Sequence, residues 1–303
     1  MTSEITIVAN PTAGRGRGAR AAGPAADALR RAGFGVRTVV GTDAADALAR
    51  AREAVADGTG ALVAVGGDGM VSLALQAVAG TGTPLGVVAV GTGNDFARAT
   101  GLAIREPAAA AQDIERALKE ESVREIDLGR AGDRWFGTVL ASGFDSRVND
   151  RGNRMRRPSG RLRYDVAMLA ELAALRPIPY RMTLDDGAET ELEATLVAVG
   201  NGTSYGGGMR ICAGAELDDG RFDVCVVGPC SRSTLLRVFP RVYRGTHLGH
   251  PVVTVHRAAS VTLAADGITG YADGEPLGPL PLTARTVPRA LRLLVPRRAV
   301  PSK

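Results

Sequence analysis

The chain has 303 residues, 45% hydrophobic and 23% charged, with a formal net charge of +5. Such a length and balance suit a folded protein of two domains, and no apolar run reaches the ~18 residues of a membrane span. Of 37 basic residues only Lys119 and Lys303 are lysines, in a polar helix-like stretch and at the last position. That excludes a P-loop and a protein-kinase strand lysine, so phosphate chemistry must run on glycine turns, carboxylates and arginine.

Strands are expected at Ile5 to Ala9, Val36 to Val40, Ala61 to Val65 and Gly86 to Val90. Helices are expected between them at Gly16 to Ala32, Ala44 to Ala56 (capped by Thr42 or Asp43), Val71 to Ala79 and Pro107 to Lys119. This alternation predicts a parallel sheet with helices on both faces. After Val123 the texture changes. Strands are expected at Val123 to Leu128, Arg134 to Ala141, Arg181 to Leu184, Ala194 to Val199, Phe222 to Val227, Val252 to Val255 and Val261 to Ala264. Asp-Gly turn signals at 185–187, 219–220 and 273–274 divide them, and only Arg161 to Leu175 and Ser233 to Tyr243 look helical. A mostly antiparallel sandwich is therefore expected over residues 131–287, after a first domain over 1–130 to which a strand at about 288–297 returns.

Two turns carry most of the functional information: Gly66-Gly67-Asp68-Gly69 and Gly91-Thr92-Gly93-Asn94-Asp95, each at the end of an apolar strand. In parallel sheets ligands lie beyond the carboxyl ends of the strands. Glycines there bring backbone N–H groups close to phosphates, and an adjacent aspartate can hold a metal ion or its waters. The pair reads as a nucleotide-phosphate and magnesium site. The segment from Gly14 to Ala19 matches GxGxxA but does not follow its strand directly, so a dinucleotide fingerprint is disfavoured. Gly202 to Gly206 matches GxSxG, yet Gly206-Gly207-Gly208 follows where a nucleophile elbow needs a helix. The acidic Glu216 to Asp223 segment lacks the ligand ladder of a calcium loop. Glu275, just past the Asp273-Gly274 turn, is a carboxylate that could project into a cleft as a base.

In order, NPTAG, GGDG, GTGNDFAR, IDLG at Ile126 to Gly129, NGTSYGGG, LDDGRFDV and DGE resemble the diacylglycerol kinase family of lipid kinases, whose fold is shared with sphingosine and ceramide kinases and, more distantly, NAD kinases. The resemblance runs from Ile5 to about Val295. It implies an α/β fold, with a phosphofructokinase-like nucleotide domain and a β-sandwich second domain. It further implies that Asn10, Pro11, Thr12, Ala13, Gly14, Thr42, Gly67 to Leu73 (with Asp68, Gly69, Met70, Val71 and Ser72), Thr92, Asn94 and Asp95 line ATP. Asp68, Asp95 and Asp127 would organise water and Mg2+ near the phosphates. Asp219, with the carbonyls of Glu216 and Arg221, would hold a structural Mg2+, and Glu275 would be the general base on the acceptor hydroxyl. Met70 and Leu73 depart from the usual threonine and glutamate of the first turn.

The expectation is thus a phosphotransferase with an alcohol acceptor, an ATP-dependent lipid kinase making phosphatidic acid from diacylglycerol. Sphingoid or ceramide-type substrates, a soluble NAD kinase and a non-catalytic nucleotide-binding regulator are the alternatives. Arg147, Arg151, Arg154, Arg156, Arg157, Arg161 and Arg163 crowd 17 residues against one Asp150. They are either a solvated loop or a docking face for an anionic membrane. Little aromatic interleaving accompanies them, so nucleic acid is not expected. Three cysteines without CxxC spacing and an N-terminus lacking a signal-peptide layout give a cytoplasmic expectation, with peripheral membrane association. A homodimer is compatible with the sequence.

Overall fold

The computed structural model describes residues 4–9, 13–155 and 161–297. The chain divides into two compact units, one running through Leu128 and resuming at Val287, the other spanning Gly129–Thr286.

The first unit alternates β1 (Glu4–Ala9), α1 (Ala13–Arg31), β2 (Gly35–Val39), α2 (Ala44–Ala56), β3 (Ala61–Gly66), α3 (Asp68–Val78), β4 (Leu85–Ala89), α4 (Asp95–Thr100) and α5 (Pro107–Lys119) before β5 (Val123–Ala131). The sheet order β2-β1-β3-β4 is parallel throughout, and Leu293 in the chain's last strand pairs in parallel with Leu85. β3 and β4 are buried along their whole length. Covered on both faces, they have no polar side to alternate, hence the continuous apolar runs in the sequence. Ile5, Ile7, Val63, Val65 and Val88 pack with Ala25 and Leu29 of α1 and Ile114 of α5. The carboxylate of Asp43 caps α2 by accepting from Asp46 N at 2.9 Å, and Pro107 opens α5 where its missing N–H costs nothing.

The second unit contains β6 (Arg134–Phe136), β7 (Val139–Gly143), α6 (Phe144–Arg154), α7 (Arg161–Ala173), β8 (Ile178–Leu184), β9 (Thr190–Ala194), β10 (Leu196–Gly200), β11 (Phe222–Val227), α8 (Arg232–Val242), β12 (Val253–Ala258), β13 (Ser260–Ala264), β14 (Thr269–Ala272), β15 (Glu275–Pro279) and most of the first half of β16 (Leu282–Leu294). One antiparallel sheet runs β12-β11-β10-β7-β14-β15. The other runs β16-β13-β8-β9, with β5 and β6 as a hairpin beside it. Side chains of both sheets share one core, in which Phe136 and Phe222 stack with centroids 5.8 Å apart. Full burial of each such ring is worth roughly 1.5–3 kcal/mol. A Cβ on Gly129 would overlap the Phe136 ring, so only glycine suits that point of the strand.

Several elements differ from the sequence expectation: β9, β14 and β15 were not expected as strands, the strand expected over Ala194 to Val199 is divided between β9 and β10, and three further cases have a clear cause. The strand expected over Arg134 to Ala141 is two strands, because the N–H groups of Gly137 and Thr138 bond the Asp273 carboxylate instead of a ladder. The first part of the arginine stretch is a helix, α6, begun where Ser146 Oγ accepts from Gly143 N at 2.9 Å. α4 escapes sequence reasoning because six residues are too short to show a helical period.

Candidate active site

The two glycine turns are locked together. Val90 N donates to Gly66 O at 2.8 Å, and a Cβ on Gly91 would strike the Gly67 backbone. Asp68, first residue of α3, spans the gap: Asn94 N donates to its Oδ2 and Asp95 N to its Oδ1, both at 2.6 Å. One carboxylate thus satisfies two orphan donors at the start of α4. Asn94 takes the left-handed conformation (φ 59°) and closes its turn on itself, its Oδ1 accepting from Gly91 N at 2.8 Å and its Nδ2 donating to Gly91 O at 3.0 Å.

The carbonyls of the second turn face arginines. Arg105 donates to Gly91 O at 3.2 Å and to Thr92 O at 2.8 Å, and Arg98 to Gly93 O at 3.2 Å. Arg98 closes the GTGNDFAR motif without having been assigned a role, and nothing in the sequence marks Arg105 among so many other arginines. With its carbonyls held this way, the loop gains fixed positive charge suited to an anionic ligand. Met70, Val71 and Ser72 are buried in α3, with Met70 N and Val71 N both donating to Gly67 O, while Leu73 is partly exposed.

The remaining first-unit residues follow neighbouring strand ends. Thr42 lies beyond β2, its N–H and hydroxyl donating to Asp46 at 2.8 and 3.2 Å. Ala13 and Gly14 open α1, and Asn10 to Thr12 lie outside the described residues. Asp127 is buried in β5 and accepts from Arg289 N at 2.8 Å, Arg289 having φ of 52°. Asp68 and Asp127 therefore already hold backbone, and Asp95 is buried as well. Among the described residues no three His, Cys, Asp or Glu gather tightly enough to cage a metal. The carboxylates of Asp68 and Asp95 both flank Gly93.

In the second unit Glu275 starts β15 with its side chain exposed. The turn before it is tight, with φ of 51° at Asp273 and 86° at Gly274. Asp273 accepts from Gly137 N at 2.7 Å, Thr138 N at 2.9 Å and Thr138 Oγ1 at 2.5 Å. Thr138 O in turn accepts from Asn201 N and Gly202 N, each at 2.8 Å. The DGE turn and the Asn201 loop are thereby pinned to one peptide. Asp219 accepts from Arg221 N at 2.9 Å and from the Arg257 guanidinium, which also reaches Asp223 at 3.4 Å. Burial, with the Glu216 charge adding to it, pushes the Asp223 carboxyl up. Ser204 is buried, its hydroxyl has no partner among the described residues, and a Tyr205–Met209 bridge follows it, so no nucleophile elbow forms.

Residues 4–131 match the family model of the diacylglycerol kinase catalytic domain, and residues 138–295 that of the YegS C-terminal NAD kinase beta sandwich-like domain. A diacylglycerol kinase of Mycobacterium tuberculosis is 46% identical over 97% of this chain and 96% of its own length. The chain belongs to the diacylglycerol kinase family of lipid kinases. A Pseudomonas aeruginosa protein named "Probable lipid kinase YegS-like" is 32% identical over 89% of this chain and 87% of its own. The crystal structure of a diacylglycerol kinase from Bacillus anthracis superposes with a TM-score of 0.73, at 23% identity and 97% coverage of both chains. An NAD kinase from Archaeoglobus fulgidus shares the fold at a TM-score of 0.57, 13% identity and coverage of 97% of this chain and 94% of its own.

One further acid of this lipid kinase family member sits in an apolar setting. Asp145, second residue of α6, keeps some exposed surface, but its carboxyl is enclosed beside a cavity of about 20 Å³ lined by Phe144, Tyr205, Ile211 and Leu235. Burial pushes its carboxyl up to about 6, against the hydrogen bond donated by Tyr205, which favours the charged form. Because the folded value exceeds the unfolded one, this residue costs stability as pH rises from about 4 to about 6 and not below that window. Asp145→Asn is expected to remove that pH slope and to add roughly 1–3 kcal/mol at pH 7.5. Thermal melts of both proteins at acidic and neutral pH check it; equal melting at every pH would count against the enclosed acid.

Proposed function

We propose that this chain transfers the γ-phosphoryl group of ATP to the hydroxyl of a membrane lipid, with diacylglycerol as the acceptor and phosphatidic acid as the product. The observation that carries the nucleotide half is the double glycine turn braced by Asp68 and held by Arg98 and Arg105. Its glycines pack against each other and against Asp68, fixing the two strand-end turns in one arrangement beside the start of α3, where the charge of a phosphate is favoured. Thr42, Thr92 and Asn94, with residues 67–73, are the proposed nucleotide contacts, and Asp68, Asp95 and Asp127 the holders of magnesium-bound water. Magnesium, when bound with ATP, neutralises phosphate charge. Glu275 accepts the proton of the attacking hydroxyl, a role for which its exposed position on a rigid turn fits it.

The 46% identical relative bears the name of a diacylglycerol kinase, which favours that lipid over other alcohols. Labelled ATP offered with diacylglycerol, sphingoid base, ceramide and polyprenol in mixed micelles, and with NAD as soluble control, is the test. Turnover on diacylglycerol well above the rest is expected; transfer to NAD alone, or to nothing, would end this reading.

The Asp219 turn is proposed as a structural magnesium site completed by the carbonyls of Glu216 and Arg221. Arg257 already pairs with that carboxylate, so the ion must share it. Asp219→Ala is expected to lower the melting temperature by several degrees and to abolish any rise on adding magnesium. A parent protein whose melting ignores magnesium would show that the arginine suffices. No described helix is long and apolar enough to cross a membrane, so the lipid is proposed to be reached from the bilayer surface.

A further inference from the structure

α8 has two different faces. Leu235, Val238 and Val242 are buried, and Leu235 and Val242 share a cluster with Leu196 and Val227 of the sheet. The opposite side exposes Leu236 by 58% and, at the helix end, Tyr243 by 50%. Arg232, Arg237, Arg241 and Arg244 are exposed around them. Arg232 donates to Ala173 O at the end of α7, a helix whose Leu169 is 60% exposed. Exposed large apolar side chains thus concentrate on two neighbouring helices.

The charge is just as one-sided. No Asp or Glu occurs between Asp223 and Asp266, a span that contains all of α8. Arg237, Arg241 and Arg244 make no ion pair among the described residues. In α6, by contrast, Arg151 is committed to Glu171 at 2.5 Å. Of the arginine-rich segment conspicuous in the sequence, Arg151 is thus neutralised by the fold, while Arg156 and Arg157 lie outside the described residues.

We infer that the outer face of α8 docks this protein on an anionic lipid bilayer, its arginines on the headgroups and Leu236 and Tyr243 in the interface. This rests on the lipid-kinase reading only for its purpose and stands on its own for binding. Leucine and tyrosine flanked by arginines suit the boundary between headgroups and acyl chains. A second copy of the chain fits poorly, since two such faces would set arginine against arginine. An acidic protein partner would satisfy the charge but does not by itself require the exposed leucine.

The test uses the full chain and vesicles of neutral phosphatidylcholine with or without about one third phosphatidylglycerol. Changing Arg237, Arg241 and Arg244 together to glutamine should weaken binding to the anionic vesicles roughly 100-fold at low salt. High salt should erode the difference. Leu236→Ser is a second variant, expected to weaken binding several-fold at every salt concentration, which a purely electrostatic contact would not show. All these positions are exposed, and unchanged melting would verify folding. Turnover on a short-chain, water-soluble acceptor should match the parent's. Parent-like vesicle binding by the triple variant would overturn the inference. So would loss of binding only when Arg147 and Arg154 of α6 are changed, or a parent dimer that Leu236→Ser splits into monomers. Vesicle binding that behaves as expected in a protein that phosphorylates no lipid would sink the kinase reading and leave this surface standing.

Discussion

Glu275→Gln is expected to lower turnover by ~10²-fold or more while ATP binds as before. The substitution keeps size and removes basicity. The fold should not notice it, because the turn that carries Glu275 is fastened by its neighbour: Asp273 takes three hydrogen bonds from Gly137 and Thr138. Melting temperature should therefore stay at the parent value, which separates lost chemistry from lost structure. Glu275→Asp retains a base on a shorter arm and should recover part of the rate only if proton transfer tolerates the displacement. Single-turnover measurements with saturating ATP read the effect directly. Near-parent turnover in the glutamine variant would remove the residue from the chemistry.

The second large effect concerns Asp68→Asn. Both carboxylate oxygens accept backbone N–H groups at 2.6 Å, and hydrogen bonds to a charged partner are worth roughly 1.5–3 kcal/mol each. The amide can accept only one of the two and turns a donor toward the other. The Gly91 to Asp95 turn should loosen, raising the KM for ATP about 10- to 100-fold and lowering the melting temperature by several degrees. Gly93→Ala should reproduce the phenotype from the other side, because a Cβ there would collide with Asp68 Oδ2. Unchanged ATP affinity and melting in both variants would mean that the brace does not shape the nucleotide site.

Much of the first unit was legible from residue order. Runs such as Ala61 to Val65 mark strands buried on both faces, and Asp43 and Pro107 mark helix starts by local chemistry alone. The second glycine turn was readable for the same reason: Asn94 closes on Gly91, three residues away. The antiparallel texture after Val123 was readable from Asp-Gly turns at fixed points. Asp185 and Asp273, both left-handed, sit at such points.

What neighbouring residues could not disclose depends on groups distant in the chain. Asp68 acts on N–H groups 26 and 27 residues away, and Asp273 on Gly137 and Thr138 136 and 135 residues away. The latter pair broke the strand expected over Arg134 to Ala141, since donors given to a remote carboxylate cannot join a ladder. Arg105, 13 and 14 residues from the carbonyls it holds, looked like any other arginine of this arginine-biased chain. Sequence alone pointed to the lipid kinase family, through motifs such as GGDG, GTGNDFAR and DGE. Tertiary structure decided which charges remain available: Arg151 is paired and Asp219 is shared, whereas the arginines of α8 face outward. An ion pair depends on two side chains meeting in space, and that meeting is written in the packing rather than in either residue.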